Sequence, residues 1–321
     1  MPYRVSEVAS MAEVITEIVD FADTELGWDV AAAQVTPPGG EAVTLAAVTL
    51  SMGTPGLNLA MPSQTMNLAR MNSPALDGTG GTASNSYPPS AVHLFGGEEE
   101  GVPFLSAVVN FTGAGWRHAY IGGAVPIDPT YPAQLVAANW HFTSNASTGW
   151  PRDIRSLNKF LFGAYNRPLD ASESGIIYMP MPPAGSIRLN QTASSASVST
   201  PPESTLGVNR VIGGGLDGPN DVLVAFGQAH FASATILNPM TLYLTEGSPA
   251  RLRPIGHPAG LRMVNMTNYN PAQQVLLGAD PWRVFPEFNK TTTNSVNRGT
   301  SFSANESSYY WGLAYPEDME T

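Results

Sequence analysis

From Ala91 to Tyr315 the chain is largely a succession of short apolar runs, most closed within a few residues by Gly, Pro, Asn or Ser. Ala91–Phe95, Val102–Phe111, Trp116–Ile127, Ile176–Met181, Ser186–Asn190, Asp221–Phe226, Thr235–Leu244, Leu261–Met266 and Val275–Leu277 all read this way. Runs of this length are too short for the buried stripe of a helix but suit a strand, and 31 glycines and 28 prolines supply the turns between them. The chain is therefore predicted to be mainly β, with a β-sandwich or barrel-like core and long loops. Within this part only Asp153–Tyr165 offers a helix. No fixed-period self-similarity runs along the chain, which argues against propellers, solenoids and fibre shafts.

The N-terminal segment has a different period. Val8, Met11, Ala12, Ile15, Val19, Ala22 and Leu26 recur at three- and four-residue steps with acids between them, predicting an amphipathic helix over Ser6–Leu26, capped by Ser6 and stopped by Gly27. Two strands, Val30–Val35 and Val43–Leu50, are expected next, around the turn Thr36-Pro37-Pro38-Gly39-Gly40. Asn72–Ser90 is almost wholly small or polar and reads as an exposed loop, and the Ser/Thr/Pro-rich Gln191–Thr205 as a loop or a linker. The length of 321 residues fits about two domains, or one large all-β unit. The expected organisation is a helix plus β-rich region over 1–190, the segment 191–205, and a β-rich region over 206–321, the three possibly continuous.

Charge narrows the function. The formal net charge is −11, yet residues 1–30 hold seven acids against Arg4 alone, and the body is nearly neutral with only two lysines, Lys159 and Lys290. Nucleic-acid binding needs a clustered basic surface, and only Arg152, Arg155 and Lys159 cluster at all. No run of about 20 apolar residues suggests a membrane span. The first 30 residues, interrupted by Glu7, Glu13, Glu17 and Asp20, do not read as a signal peptide. The absence of cysteine excludes disulfides and thiol chemistry. Low charge density with abundant Gly, Pro, Ser, Thr and Asn suits either subunit interfaces or a β protein with long polar loops.

Catalytic signals are weak. His93, His118, His141, His230 and His257 show no metal-ligand spacing, no GxSxG elbow surrounds a serine, and Gly213-Gly214-Gly215 lacks the residues of a phosphate loop. Asp128, Asp153, Asp170, Glu173, Asp217, Asp221 and Glu287 could supply a glycosidase pair, but no spacing pairs them. Glu98-Glu99-Glu100 between Gly97 and Gly101 reads as a solvated loop tip rather than a calcium site. No enzyme activity, cofactor or metal is expected. Trp116, Tyr120, Tyr131, Trp140, Phe142 and Trp150 form a dense aromatic stretch that suits a core layer, a subunit contact or a sugar-stacking platform.

Two stretches are distinctive. One runs Tyr120-Ile121-Gly122-Gly123-Ala124-Val125-Pro126, Tyr131-Pro132-Ala133-Gln134-Leu135-Val136-Ala137-Ala138 and Gly149-Trp150-Pro151; the other is Trp282-Arg283-Val284-Phe285-Pro286 followed, after a polar loop, by Tyr310-Trp311-Gly312-Leu313-Ala314-Tyr315. With the opening helix and Gly27-Trp28, the chain resembles the virion structural proteins of tailed bacteriophages. The period-two spacing of Trp311, Leu313 and Tyr315 predicts a strand pairing with Trp282–Phe285 as a hairpin with a long tip. The resemblance implies a homo-oligomeric ring at the neck or collar, or a baseplate, tail-tip or capsid-surface component. It would contact itself and other virion proteins, without nucleic acid or membrane, and would assemble in the bacterial cytoplasm. Candidate intersubunit residues are Val8, Ile15 and Val19 on the helix and Trp282, Phe285, Trp311 and Tyr315 on the hairpin. The alternative of another class is a host-glycan-binding module stacking sugars on Trp116, Trp140 and Trp150.

Overall fold

A computed structural model describes residues 1–49, 55–62, 69–72, 88–112, 115–127, 133–138, 177–180, 186–189, 210–211, 237–239, 242–246, 251–266, 269–286 and 311–318. Among them the protein is mainly β, with several antiparallel sheets and one short helix.

The chain begins with strand β1 (Tyr3–Glu7) and helix α1 (Met11–Thr24). The helix starts later than the apolar period suggests: Ser10, not Ser6, is the N-cap. The Ser10 hydroxyl accepts the Glu13 N–H while the Glu13 carboxylate accepts the Ala9 N–H, a reciprocal arrangement that Ser6, followed three residues later by Ala9, cannot make. Ser6 instead lies in β1, which pairs with β7 (Pro89–Glu99). Gly27 stops the helix as expected. At φ 63° it lets its own N–H reach the Asp23 carbonyl and the Trp28 N–H reach that of Ala22.

A small sheet follows: β2 (Asp29–Ala31), β3 (Gln34–Thr36), β4 (Val43–Thr49), β5 (Pro55–Ala60) and β6 (Ala69–Asn72), paired in that order. The single strand expected over Val30–Val35 is two, folded back at Ala32, which adopts φ 52°. The central sheet runs β1-β7-β8-β9-β10-β11-β12 through β8 (Val102–Phe111), β9 (Gly115–Pro126), β10 (Ala133–Ala138), β11 (Ile177–Pro180) and β12 (Ser186–Leu189). It also takes in β13 (Arg210–Val211), β15 (Leu242–Glu246) and β16 (Arg251–Pro258), β16 joining β9 at Gly256↔Pro126. Strands from both sides of the 191–205 segment thus share one sheet. The third sheet has the order β14 (Asn238–Pro239), β17 (Arg262–Asn265), β20 (Trp311–Pro316), β19 (Asp280–Pro286) and β18 (Gln273–Leu277). The expected pairing of the Trp282 and Trp311 runs is present, with Phe285 opposite Leu313 and Val284 opposite Ala314.

Alternation along the central strands assigns each residue to one of two cores. Val92, Leu94, Leu105, Ala107, Val109, Ala119, Ile121 and Val136 face α1 and the small sheet, meeting Val14, Ile18, Phe21, Leu45 and Leu57. Phe95, Phe104, Val108, Tyr120 and Leu135 face the third sheet, meeting Met263, Phe285, Leu313 and Tyr315. The central sheet is therefore covered on both faces, which is why β9 is buried from Gly115 to Val125 and reads as a nearly continuous apolar run. A Cβ on Gly122 would lie 2.7 Å from the Phe104 Cα and the Pro103 carbonyl oxygen, so the first glycine of the Gly122-Gly123 pair admits close approach of β8.

The predicted helix at Asp153–Tyr165, the strand at Asp221–Phe226 and the segment Gln191–Thr205 lie outside the described residues, as does most of the Asn72–Ser90 loop.

Candidate interaction surface

Some of the polar side chains in the interior act as ties between elements. His118 on β9 is fully buried. Its Nε2 lies 3.0 Å from the Pro286 carbonyl, which can only accept, so Nε2 carries the proton and Nδ1 accepts the Tyr315 hydroxyl at 2.7 Å. Burial pushes the His118 pKa down to about 3, with the Arg117 charge adding to it and the Pro286 carbonyl opposing. His93 on β7 shares a 2.8 Å hydrogen bond with the Tyr3 hydroxyl and is held at about 4 by burial and by the Arg283 charge. Both rings are thus neutral in the folded protein; His118 bonds the central sheet to the third, whereas His93 bonds β7 to β1 within the central sheet and meets the third sheet through its ring contact with Phe285.

Two ion pairs reinforce the same junction. The β7–β8 turn places Glu100 at φ 52° and Gly101 at φ 76°, the left-handed pair of a tight hairpin. Glu99, expected in a solvated tip, instead accepts the Gly260 N–H at 2.7 Å and pairs with the Arg262 guanidinium. Burial pushes its carboxyl up, but these bonds and the Arg262 and His257 charges outweigh it and hold the pKa below the ordinary value. Glu317, 4% exposed, takes the Arg283 Nε at 2.6 Å and also binds Gln274, while Arg283 donates to the Ala272 carbonyl and lies 4.6 Å over the Tyr3 ring. The Met1 ammonium pairs with Asp318, so the first and last described residues meet.

These groups make stability depend on acid. An unfolded histidine, with an ordinary value of 6.5, binds a proton that His118 and His93 in the fold refuse. Their contribution is complete above about pH 6.5 and is lost as the pH falls toward 4, by up to about 1.4 kcal/mol per pH unit for each ring. Glu99 extends the loss in the same direction, since a depressed carboxyl contributes above its unfolded value and fades as it protonates. Urea midpoints measured from pH 7.5 to 4.5 should therefore fall, beginning before carboxylates titrate. A flat profile down to pH 5 would contradict the neutral, buried assignment of both rings.

The sequence-derived contact residues are placed as follows. Val8, Trp282, Phe285 and Tyr315 are buried in this chain's own cores, and Ile15 and Val19 are half-buried against the helix-side core. Trp311 pairs with Asn265 through its backbone, and its side chain lies outside the described set. Trp116 is buried beside His93 and Phe285, with ring centroids 5.6 and 5.1 Å away, so no open stacking face forms there. Trp140, Trp150, His141, His230, Gly213-Gly214-Gly215 and all seven candidate glycosidase acids lie outside the described residues.

What the described surface exposes instead was not singled out by pattern. The β18–β19 hairpin turns through Gly278-Ala279 and presents Leu276 at 59% and Leu277 at 43% exposure. Val5 is 53% exposed on β1, at one border of the central sheet, and β18 borders the third. Both borders lie on the same side of the molecule, joined by the Arg283 contacts to Tyr3 and Ala272. The signal in the sequence was the pair of leucines immediately before Gly278, at a position where a two-residue turn leaves nothing to cover them.

Among the described residues no cluster of three or more His, Asp or Glu is placed to hold a metal ion, and no helix is long and apolar enough to cross a membrane. The chain matches no protein-family model, and no curated protein matches it.

Proposed function

We propose that the protein is a structural component of a tailed-bacteriophage particle that acts by binding alone, assembling as a symmetric ring at the neck or collar in preference to the baseplate, tail tip or capsid surface. The observation that carries this reading is the division of labour among the described side chains. His93, His118, Glu99, Arg262, Arg283 and Glu317 are engaged in bonds within and between the sheets, while Val5, Leu276 and Leu277, three of the four large exposed apolar side chains among the described residues, sit on border strands and a hairpin tip, the fourth being Ile127 just past β9. Such a surface offers contact rather than chemistry, and contacts of modest strength become durable when symmetry repeats them around a closed ring.

The two distinctive sequence stretches support the same reading as packing motifs. Tyr120–Pro126 lies in the doubly covered central strand, and the Trp282 and Trp311 runs pair to cover it. The partners would be further copies of the chain and other virion proteins, and the site of action the particle.

Light scattering of the purified protein, with electron microscopy of the same fraction, tests the proposal. A defined ring is expected, or a monomer that enters one when other particle proteins are added. A stable monomer that never joins particles under those conditions would overturn it.

A further inference from the structure

Among the described residues β1 is the outermost strand of the central sheet on its side. Its bonding to β7 alternates. The Val8 N–H donates to the Ser90 carbonyl and the Gly96 N–H to the Pro2 carbonyl, so the hydrogen-bonded pairs fall at even positions, and Arg4 and Ser6 direct their backbone groups into the sheet. The backbone N–H and C=O of Val5 and Glu7 therefore point away from it. The Val5 side chain is half exposed between them, and that of Glu7 is exposed. Edges of this kind are open to strand addition unless charge or a bulge protects them.

The charge around β1 decides what can add. On the helix side, Arg4 lies within 2.8 Å of both Asp20 and Glu25, and the Ser6 hydroxyl donates to Glu17 at 2.6 Å, leaving three carboxylates to one guanidinium. On the opposite face Glu7 adds a further negative charge. A second copy placed edge to edge would bring two such acidic rows together, at a cost that like charges on adjacent strands impose. A strand whose basic side chains share the helix-side face meets the opposite sign there, while on the other face Arg283, over Tyr3, is already balanced by Glu317 and leaves Val5 open to an apolar residue.

We infer that β1 is a strand-addition site for an extended segment of another protein, carrying Lys or Arg at alternate positions with an apolar residue set against Val5. Backbone bonds to Val5 and Glu7 give the register, and the acids beside β1 select the side chains. The inference stands on β1 alone and holds whether or not the protein belongs to a phage particle, so the two proposals fail separately.

The test uses the full chain and the fluorescently labelled peptide acetyl-Lys-Val-Lys-Val-Lys-amide, followed by anisotropy. Binding is expected, about tenfold or more weaker for the same peptide with Glu in place of Lys, and weaker as salt rises from roughly 0.05 to 0.5 M. Val5→Pro removes an outward N–H while leaving the Arg4 and Ser6 ladder intact, and should weaken binding about tenfold at unchanged melting temperature. Should that variant misfold, N-methylation of the peptide backbone at the valines provides the same test from the ligand side and should abolish binding. Equal binding of the Lys and Glu peptides, no binding of either, or indifference to both Val5→Pro and N-methylation would overturn the inference. So would a dimer of the free protein that Val5→Pro dissolves, since the occupant would then be a second copy.

Discussion

Replacing Phe285 with alanine should lower the unfolding free energy by about 3–5 kcal/mol, a large share of the 5–15 kcal/mol that holds a typical domain together. Phe285 is fully buried and packs its ring against four others: His93 at 5.0 Å, Trp116 at 5.1 Å, Phe95 at 5.8 Å and Tyr315 at 6.0 Å between centroids, all four edge to face or nearly so. Its strand is fixed on both sides, by β18 through Gln273↔Val284 and by β20 through Phe285↔Leu313, so the backbone cannot sink into the space vacated. Urea unfolding should show a lower midpoint with little change in slope, and Phe285→Leu should retain most of the stability. A loss below about 1 kcal/mol for the alanine variant would mean that the central and third sheets are not joined through this ring.

Arg283→Met should cost a similar amount, about 3–5 kcal/mol, for an electrostatic reason. The methionine keeps much of the volume over Tyr3 but removes the guanidinium from a Glu317 carboxylate that is 4% exposed, and it also removes the donor to the Ala272 carbonyl. Gln274 still donates to Glu317, yet a neutral amide does not balance a buried charge. The informative comparison is the double variant Arg283→Met with Glu317→Leu, which removes both charges and should recover a substantial part of the loss. A double variant as unstable as the sum of the two single ones would show that the pair is not coupled.

The parts of the fold legible in sequence are those where one residue type alternates without interruption. Leu313 and Tyr315 share a face because nothing breaks the period, and their pairing with the Trp282 run followed from it. The helix was legible from its apolar stripe, but its start was not. Val8 continues the stripe by coincidence and packs in the same core from an extended segment, so only the Ser10–Glu13 pair marks the true beginning. The β2–β3 reversal was hidden because Ala32 and Ala33 carry no turn chemistry and the φ of 52° is imposed by the surrounding sheet. β16 is not legible in the sequence because Arg251, Arg253, Pro254 and Pro258 break any apolar pattern.

The contact surface was harder to read, for a physical reason. Apolarity records that a side chain leaves water, not which chain covers it. Phe285 and Tyr315 satisfy that demand within the molecule, whereas Leu276 and Leu277 do not, and a sequence prints both kinds alike. Glu99 illustrates the reverse case: in a run of three acids only the one facing Arg262 and Gly260 is drawn inward, a distinction made by residues more than 160 positions away.

The double covering of the central sheet also sets a timetable for synthesis. The helix, the small sheet and strands β7 to β10 are complete by Ala138, yet among the described residues one face of those strands, carrying Phe95, Phe104, Tyr120 and Leu135, finds most of its cover in residues 259–315. At a ribosomal pace of about 5–20 residues per second, that face waits several seconds or more before Phe285, Leu313 and Tyr315 emerge to close it. The nascent chain must be sheltered from its neighbours on the polysome through that interval, and a protein made in many copies at once meets the hazard most acutely just before each copy is finished.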